Sequence, residues 1–200
     1  IIIIIIMLKN VQENLAIFDE KLSYQCYRLG QRTLNIKKRY LQTLEYSCHG
    51  IPWLSLITLF TFTSSDNDFW LDLLIGLLID IVYIALAKAS CRRRRPQYAP
   101  QADNTWNTVD KLSFPSGHAS RSIYVALILS NRFSYLSIIL WPWALAVTIS
   151  RVLYGRHFIG DILAGTIIGY FNYVTRNFPI QQFIKWFLVT MVYETINDNY

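Results

Sequence analysis

FWLDLLIGLLIDIVYIALA, residues 69–87, is nineteen residues long and almost wholly apolar, with Asp72 near one end and Asp80 inside. A membrane-crossing helix needs about 20 mostly apolar residues. A carboxylate within such a stretch is costly unless it is paired or used. The segment reads as a spanning helix carrying buried polar freight. Similar stretches surround it: His49–Thr63, Ala119–Ser130, Phe133–Ile149 and Phe158–Val174, the last rich in small residues (Gly160, Ala164, Gly165, Gly169) that permit close helix packing. Ile180–Ile196 is a weaker sixth candidate, broken by Lys185 and Glu194. Between residues 88 and 114 the chain is polar, basic and Pro-containing, hence a loop. The expected fold is all-α, an integral-membrane helical bundle of five to six transmembrane helices.

Composition agrees. Of 200 residues, 53% are hydrophobic and 16% charged, against roughly 25% charged in soluble domains. Nineteen Lys+Arg outweigh 13 Asp+Glu, for a net charge of +6. An apolar yet basic chain points to a membrane, with its cations facing anionic lipid, phosphate or nucleic acid. Intrinsic disorder and a disulfide scaffold are excluded. Three scattered cysteines (Cys26, Cys48, Cys91) form no Cys-x-x-Cys pair and suggest neither a disulfide framework nor a zinc site.

Residues 1–6 are a poly-Ile run before Met7 and read as an artefact. From Met7, charges at Lys9, Glu13, Asp19, Glu20 and Lys21 break any signal-peptide core. Leu15, Phe18, Leu22, Cys26 and Leu29 recur at three- and four-residue spacing, the mark of an amphipathic helix. It can pack on the protein, lie on the membrane surface, or do both. The expected division is therefore 7–45 as a membrane-surface helical region and 46–196 as the transmembrane domain. With five or six crossings, every Lys and Arg except Arg132, Arg176 and Lys185 falls on one side. Positive-inside bias assigns that side to the cytosol.

Three polar islands share this face. The first is Lys88-Ala-Ser-Cys-Arg-Arg-Arg-Arg95-Pro96. If the helix continues through it, Lys88 and Arg95 point the same way and clamp an oxyanion. Arg92, Arg93 and Arg94 have a simpler reading as an orientation signal. The second is Pro115-Ser116-Gly117-His118 before an apolar helix. Ser116 can cap, Gly117 lets backbone approach a ligand, and His118 can donate a proton to a bound anion. The third is Ser150-Arg151 followed by His157 and Asp161, which sit four residues apart on one helical face. A carboxylate on one imidazole nitrogen leaves the other free as a nucleophile, although such a pair can also be purely structural. Together these groups suit phosphoryl transfer to histidine followed by hydrolysis. No cofactor is expected and no metal, since fixed cations can replace one. A cation-only anion-binding site is the rival reading.

The islands resemble, complete and in order, the three signature motifs of the type 2 phosphatidic acid phosphatase superfamily, which includes vanadium haloperoxidases. These are Lys-x6-Arg-Pro (Lys88, Arg95, Pro96), Pro-Ser-Gly-His (Pro115 to His118) and Ser-Arg-x5-His-x3-Asp (Ser150, Arg151, His157, Asp161). The resemblance covers residues 45–175. It implies His157 as phosphohistidine nucleophile, Asp161 as its orienting partner and His118 as leaving-group acid. It implies Lys88, Arg95, Ser116, Gly117 and Arg151 as the phosphate pocket.

The Arg92–Pro96 run, Val109-Asp110-Lys111-Leu112-Ser113-Phe114 and Gly155-Arg156-His157 further resemble the polyisoprenoid (presqualene) diphosphate phosphatases of endoplasmic reticulum and nuclear envelope. Two spans, not the three of cell-surface lipid phosphate phosphatases, precede the first motif, in keeping with a cytosolic site. The expected partners are a lipid phosphate or diphosphate and the bilayer, not nucleic acid. A broad phosphatidate or sphingosine-phosphate phosphatase and a catalytically silent membrane scaffold are the alternatives. Asp80 reads equally as a packing hydrogen bond or part of the site, and His49 as an interfacial residue. The tryptophans (Trp53, Trp70, Trp106, Trp141, Trp143, Trp186) lie near span ends, as an aromatic belt would.

Overall fold

Apolar runs this long bury their backbone polar groups only by forming helices, and helices are what the chain forms. A computed structural model describes residues 2–33, 36–99 and 112–197. Its helices are α1 (Ile2–Arg28), α2 (Lys38–Ser47), α3 (Gly50–Thr63), α4 (Asn67–Cys91), α5 (Gly117–Arg132), α6 (Ser137–Leu153), α7 (Ile159–Thr175) and α8 (Pro179–Asn197). A π-helical turn, Leu29–Thr33, follows α1, and a 3-10 turn, Ser134–Leu136, precedes α6. No strand occurs among the described residues.

The described residues form eight α-helices. Helices α3 to α8 correspond to the six candidate stretches, and the amino-terminal region supplies two more. That region is therefore a helix pair, α1 and α2, where one amphipathic helix was expected. Helix α1 begins at Ile2 and runs without interruption past Met7. The expected boundary at residues 45–46 falls inside α2. Helix α4 and the segment Ser134–Leu153 are each long and apolar enough to cross a bilayer alone.

The packing is that of a membrane protein. Large apolar side chains on α3, α4, α6 and α7 point outward, including Ile138 at 80% exposure and Phe62 at 74%. Polar groups lie inside: Asp80, Ser120, Ser122, Thr148 and Asn172 are buried. Hydrogen bonds within the bundle hold them, as hydrocarbon surroundings require. Ser120 Oγ donates to Asp80, and Asn172 Nδ2 donates to the Gly76 carbonyl at 2.8 Å. Asp80 is therefore a packing group joining α4 to α5. An apolar core of Ile57, Leu73, Leu77, Tyr124, Val125, Ile128 and Leu129 ties α3, α4 and α5 together.

Helices α5 and α7 pack most closely. A Cβ on Gly165 or Gly169 would collide with the backbone carbonyl of Ser116 or Ser120 respectively. The small-residue stretch read from the sequence is thus where α7 approaches the start of α5. At the end of the bundle opposite the close of α4, ion pairs fasten the helix junctions. Arg132 meets Asp66 at 2.7 Å, and Lys185 meets Asp68 and Asp72 at 3.2 and 2.9 Å. Lys185, which weakened the sixth candidate in sequence, is the group that fastens α8 to α4. Trp53 and Trp143 both donate to Ser47, to its carbonyl and its hydroxyl. Trp106 lies outside the described residues.

Candidate active site

Helix α4 ends at Cys91, where Arg92 turns into the left-handed region (φ 49°). Arg95 is therefore not on the helix, and the expected helical alignment with Lys88 does not exist. The chain instead lies antiparallel to the segment before α5, with a bridge between Arg94 and Leu112. Ser113 N–H donates to the Arg93 carbonyl at 2.8 Å and Ser113 Oγ to the Arg94 carbonyl at 3.0 Å. Lys88 Nζ reaches the Leu112 carbonyl at 3.2 Å. Tertiary pairing, not helical repeat, brings Lys88 and Arg95 to the same place.

That place is a cavity of about 420 Å³, lined among others by Lys88, Arg95, Gly117, His118, Arg151 and His157. All three islands reach it. Ser116 lies beside it, buried at the start of α5, where its Oγ accepts from Ala119 N–H at 3.4 Å. Its own N–H donates to the Asp161 carbonyl. Ser116 is thus a helix cap. Apolar side chains of α3 and α4, including Leu54, Ile81 and Ile84, form one side of the wall.

His157 stands in the connector between α6 and α7, 3% exposed. Its Nδ1 lies 2.7 Å from the Ser113 carbonyl. A carbonyl can only accept, so a neutral ring carries its proton on Nδ1 and keeps the Nε2 lone pair free. The Asp161 carboxylate is farther from Nδ1, at 3.7 Å, beyond hydrogen-bond length. Its bonds run elsewhere, to Arg93 at 2.9 Å and to Phe158 N–H at 2.9 Å. The direct tautomer-setting contact expected of Asp161 is therefore made by Ser113. Asp161 acts on the ring through space and holds the turn that carries it. Burial pushes the His157 pKa down to about 4, with Asp161 opposing and Arg151 adding to the fall.

Arg151 is almost wholly buried, with Nη2 3.0 Å from Glu45 Oε1. Its Nε and Nη1 are buried without a hydrogen-bond partner among the described residues, as is His118 Nε2. Buried donors left unsatisfied are costly, and an oxyanion would satisfy those of Arg151. Glu45 itself is pushed up by burial, but Arg151, with Arg156 and Arg95, outweighs this and holds the carboxyl below its ordinary range.

Several contributors were not among the expected site residues. Glu45, His49, Arg121 and Arg156 line the cavity, and His49 also caps α3, its Nδ1 accepting from Ile51 N–H at 3.4 Å. Arg93, read as an orientation signal, bridges Asp161 and Asp19 at 2.9 and 2.8 Å and covers the Phe158 ring at 3.9 Å. Helix α1 completes this support: Ser23 Oγ accepts from Ile159 N–H and Asp19 from Gly160 N–H. These bonds satisfy first-turn amides of α7 that the helix itself cannot. Gly155, at φ 73°, makes the turn before His157, and a Cβ there would collide with Ala99. The left-handed backbone and the close approach both require glycine.

Known proteins place this arrangement in context. The match to a probable lipid phosphate phosphatase beta of Arabidopsis thaliana is 31% identical, covering 52% of this chain and 62% of that protein. A decaprenylphosphoryl-5-phosphoribose phosphatase of Mycobacterium tuberculosis is also 31% identical, over 60% of this chain and 67% of its own. The crystal structure of a transmembrane PAP2-type phosphatidylglycerolphosphate phosphatase from Bacillus subtilis superposes with TM-score 0.64 at 25% identity, covering 82% of this chain and 84% of that one. Aquifex aeolicus LpxE shares the fold, with TM-score 0.61 at 20% identity over 78% and 94% of the two chains. The PAP2 superfamily model matches residues 69–177, a stretch that runs from the start of α4 past the end of α7 and includes all three islands. An all-helical membrane bundle with this match over more than half its length belongs to the PAP2 superfamily.

Proposed function

We propose that the protein is a membrane lipid phosphatase that hydrolyses polyisoprenoid diphosphates (presqualene, farnesyl, geranylgeranyl) and related lipid phosphates through a phosphohistidine at His157. The observation that carries this reading is one cavity lined by Lys88, Arg95, Arg151, His118 and a carbonyl-oriented His157. His157 Nε2 attacks phosphorus while Lys88, Arg95 and Arg151 meet the spreading oxyanion charge. Ser116 and Gly117 shape the backbone beside the phosphate, and His118 protonates the leaving oxygen and then deprotonates water. Asp161 favours the developing imidazolium through space and keeps His157 in place. The lipid tail lies along the apolar wall of α3 and α4. Relatives named for lipid and polyprenyl phosphate substrates support this class of substrate. The plant relative, named only for lipid phosphates, favours a second reading with broader headgroup tolerance.

On this reading residues 46–196 form the membrane-spanning catalytic unit, and residues 7–45 a surface-lying helical region that lends Glu45 to the cavity. The basic face lies toward the cytosol in endoplasmic reticulum and nuclear envelope. Purified protein in detergent should release phosphate from farnesyl or presqualene diphosphate in the presence of EDTA. His157→Ala should lower that rate by about a thousandfold or more. Full activity in the His157→Ala protein refutes the mechanism. Faster turnover of phosphatidate than of any isoprenoid substrate moves the assignment to the broader reading.

A further inference from the structure

A carboxylate beside a phosphate site repels the ligand it faces, yet Glu45 lines the cavity. It lies on α2, outside the stretch 69–177 that the family model matches. Its Oε1 accepts from Arg151 Nη2 at 3.0 Å. Among the described residues this is the one ion pair that Arg151 makes, and it leaves Arg151 Nε and Nη1 buried without a partner there. A guanidinium is planar, so fixing Nη2 restricts the directions of the other two nitrogens.

The end of α2 that carries Glu45 is fastened to α3, α5 and α6. One turn before Glu45, Leu41 is buried. Two residues after it, the Ser47 carbonyl accepts from Trp53 Nε1 of α3 at 2.8 Å, and the Ser47 hydroxyl from Trp143 Nε1 of α6 at 3.0 Å. Cys48, which is buried, meets α5 twice. Its carbonyl accepts from Arg121 Nη1 at 3.0 Å, and its Sγ donates to the His118 carbonyl at 3.5 Å. Glu45 thus stands on a fixed post. The arginine it grips is also held at its backbone: the Arg151 carbonyl accepts from Arg156 N–H at 3.0 Å and from His157 N–H at 3.3 Å. Side chain and main chain of Arg151 together tie α2 to the turn that carries His157.

We infer that Glu45 is a positioning residue of the reaction: from the close of α2 it orients the Arg151 guanidinium so that Nε and Nη1 meet the phosphoryl group as it transfers. This rests on the phosphohistidine reading above. Glu45 acts through Arg151 and needs no contact with the substrate. An arginine without that carboxylate keeps several rotamers, and ordering it when substrate binds costs free energy. Held in advance, the same donors need no reorganisation as charge spreads over the phosphoryl oxygens. That gain offsets the repulsion between carboxylate and phosphate. The amino-terminal helix pair is by this account a working part of the catalytic unit.

The test uses the purified full chain in detergent and measures hydrolysis of farnesyl diphosphate together with the Kd of orthovanadate, followed by vanadium NMR. Five-coordinate vanadate mimics phosphorus in the transition state, and such mimics report contacts made there. Glu45→Ala should lower kcat/KM at least tenfold and raise the vanadate Kd at least tenfold. Glu45→Gln, which keeps an oxygen of the same reach for Nη2, should recover most of both losses. A role in folding alone lowers kcat and the number of vanadate sites but leaves KM and Kd at wild-type values; that outcome overturns the assignment. So does a Glu45→Gln protein as impaired as Glu45→Ala, and so does wild-type behaviour in Glu45→Ala. If Glu45→Ala yields no folded protein, Glu45→Asp decides, its carboxylate one methylene short of Arg151. A vanadate Kd raised at least fivefold there supports the assignment, and a wild-type Kd overturns it. An active wild type leaves the phosphatase reading standing whatever the Glu45 variants do, whereas a wild type inert on every lipid phosphate overturns that reading itself.

Discussion

His157 shows how a backbone contact can take over a task the sequence suggests for a side chain. Asp161 is visible as its i+4 neighbour, but the acceptor at hydrogen-bond distance is the Ser113 carbonyl, forty-four residues away in the chain. A carbonyl has no side-chain identity, so no residue type announces it. Arg93 was hidden for a related reason: four consecutive arginines look alike until their partners are known. Burial disfavours the imidazolium, so the neutral nucleophilic form of His157 is present from about pH 4 upward. In a titration followed by NMR of ring-labelled histidine, His157 should stay neutral between pH 6.5 and 5. Asp161→Asn removes the charge that favours the imidazolium and should lower the midpoint further. A ring that titrates near 6.5, the ordinary imidazole value, contradicts this account.

Helices transmit these residue-level demands. The start of α7 is held by Asp161 reaching back to Phe158 N–H and by Ser23 and Asp19 of α1. Amphipathic spacing marked α1 as a helix, and its role in capping α7 needed the tertiary contact. Along its length α7 lies against α5 through Gly165 and Gly169, whose missing side chains let the Ser116 and Ser120 carbonyls approach. Gly165→Val should cost about 1–3 kcal/mol by overpacking, measured as a shift in thermal or denaturant unfolding in detergent. The displaced Ser116 carbonyl lies at the edge of the cavity, so phosphate release should fall by more than the unfolded fraction explains. Wild-type stability and rate in Gly165→Val would mean that α5 and α7 are not in close contact here.

Over the whole molecule, apolar groups face outward and hydrogen-bonded polar groups inward, as a bilayer solvent demands. The cavity and Arg92–Arg95 lie at one end of the bundle, and the Asp66, Asp68 and Asp72 ion pairs at the other. Cys91 ends α4 on the cavity side and is exposed, whereas Cys48 is buried. In sealed microsomes of cytosol-out orientation, a membrane-impermeant maleimide should label Cys91 without detergent, and Cys91→Ser should remove most of the signal. Labelling that requires detergent would place the cavity in the lumen.

The order and apolarity of the helices, the three charged islands and their common end of the bundle are all legible along the chain. They depend on local periodicity, on the length a bilayer imposes and on the spacing of titratable groups. How Lys88 and Arg95 meet, which group fixes His157, and what Glu45 and Arg93 hold depend on contacts between residues far apart in sequence. Helix α4 stops at Cys91 and the backbone of residues 93–94 pairs with residues 112–113. That pairing satisfies backbone donors and acceptors whatever side chains they carry, so it leaves no pattern in the sequence and emerges only when the chain has folded.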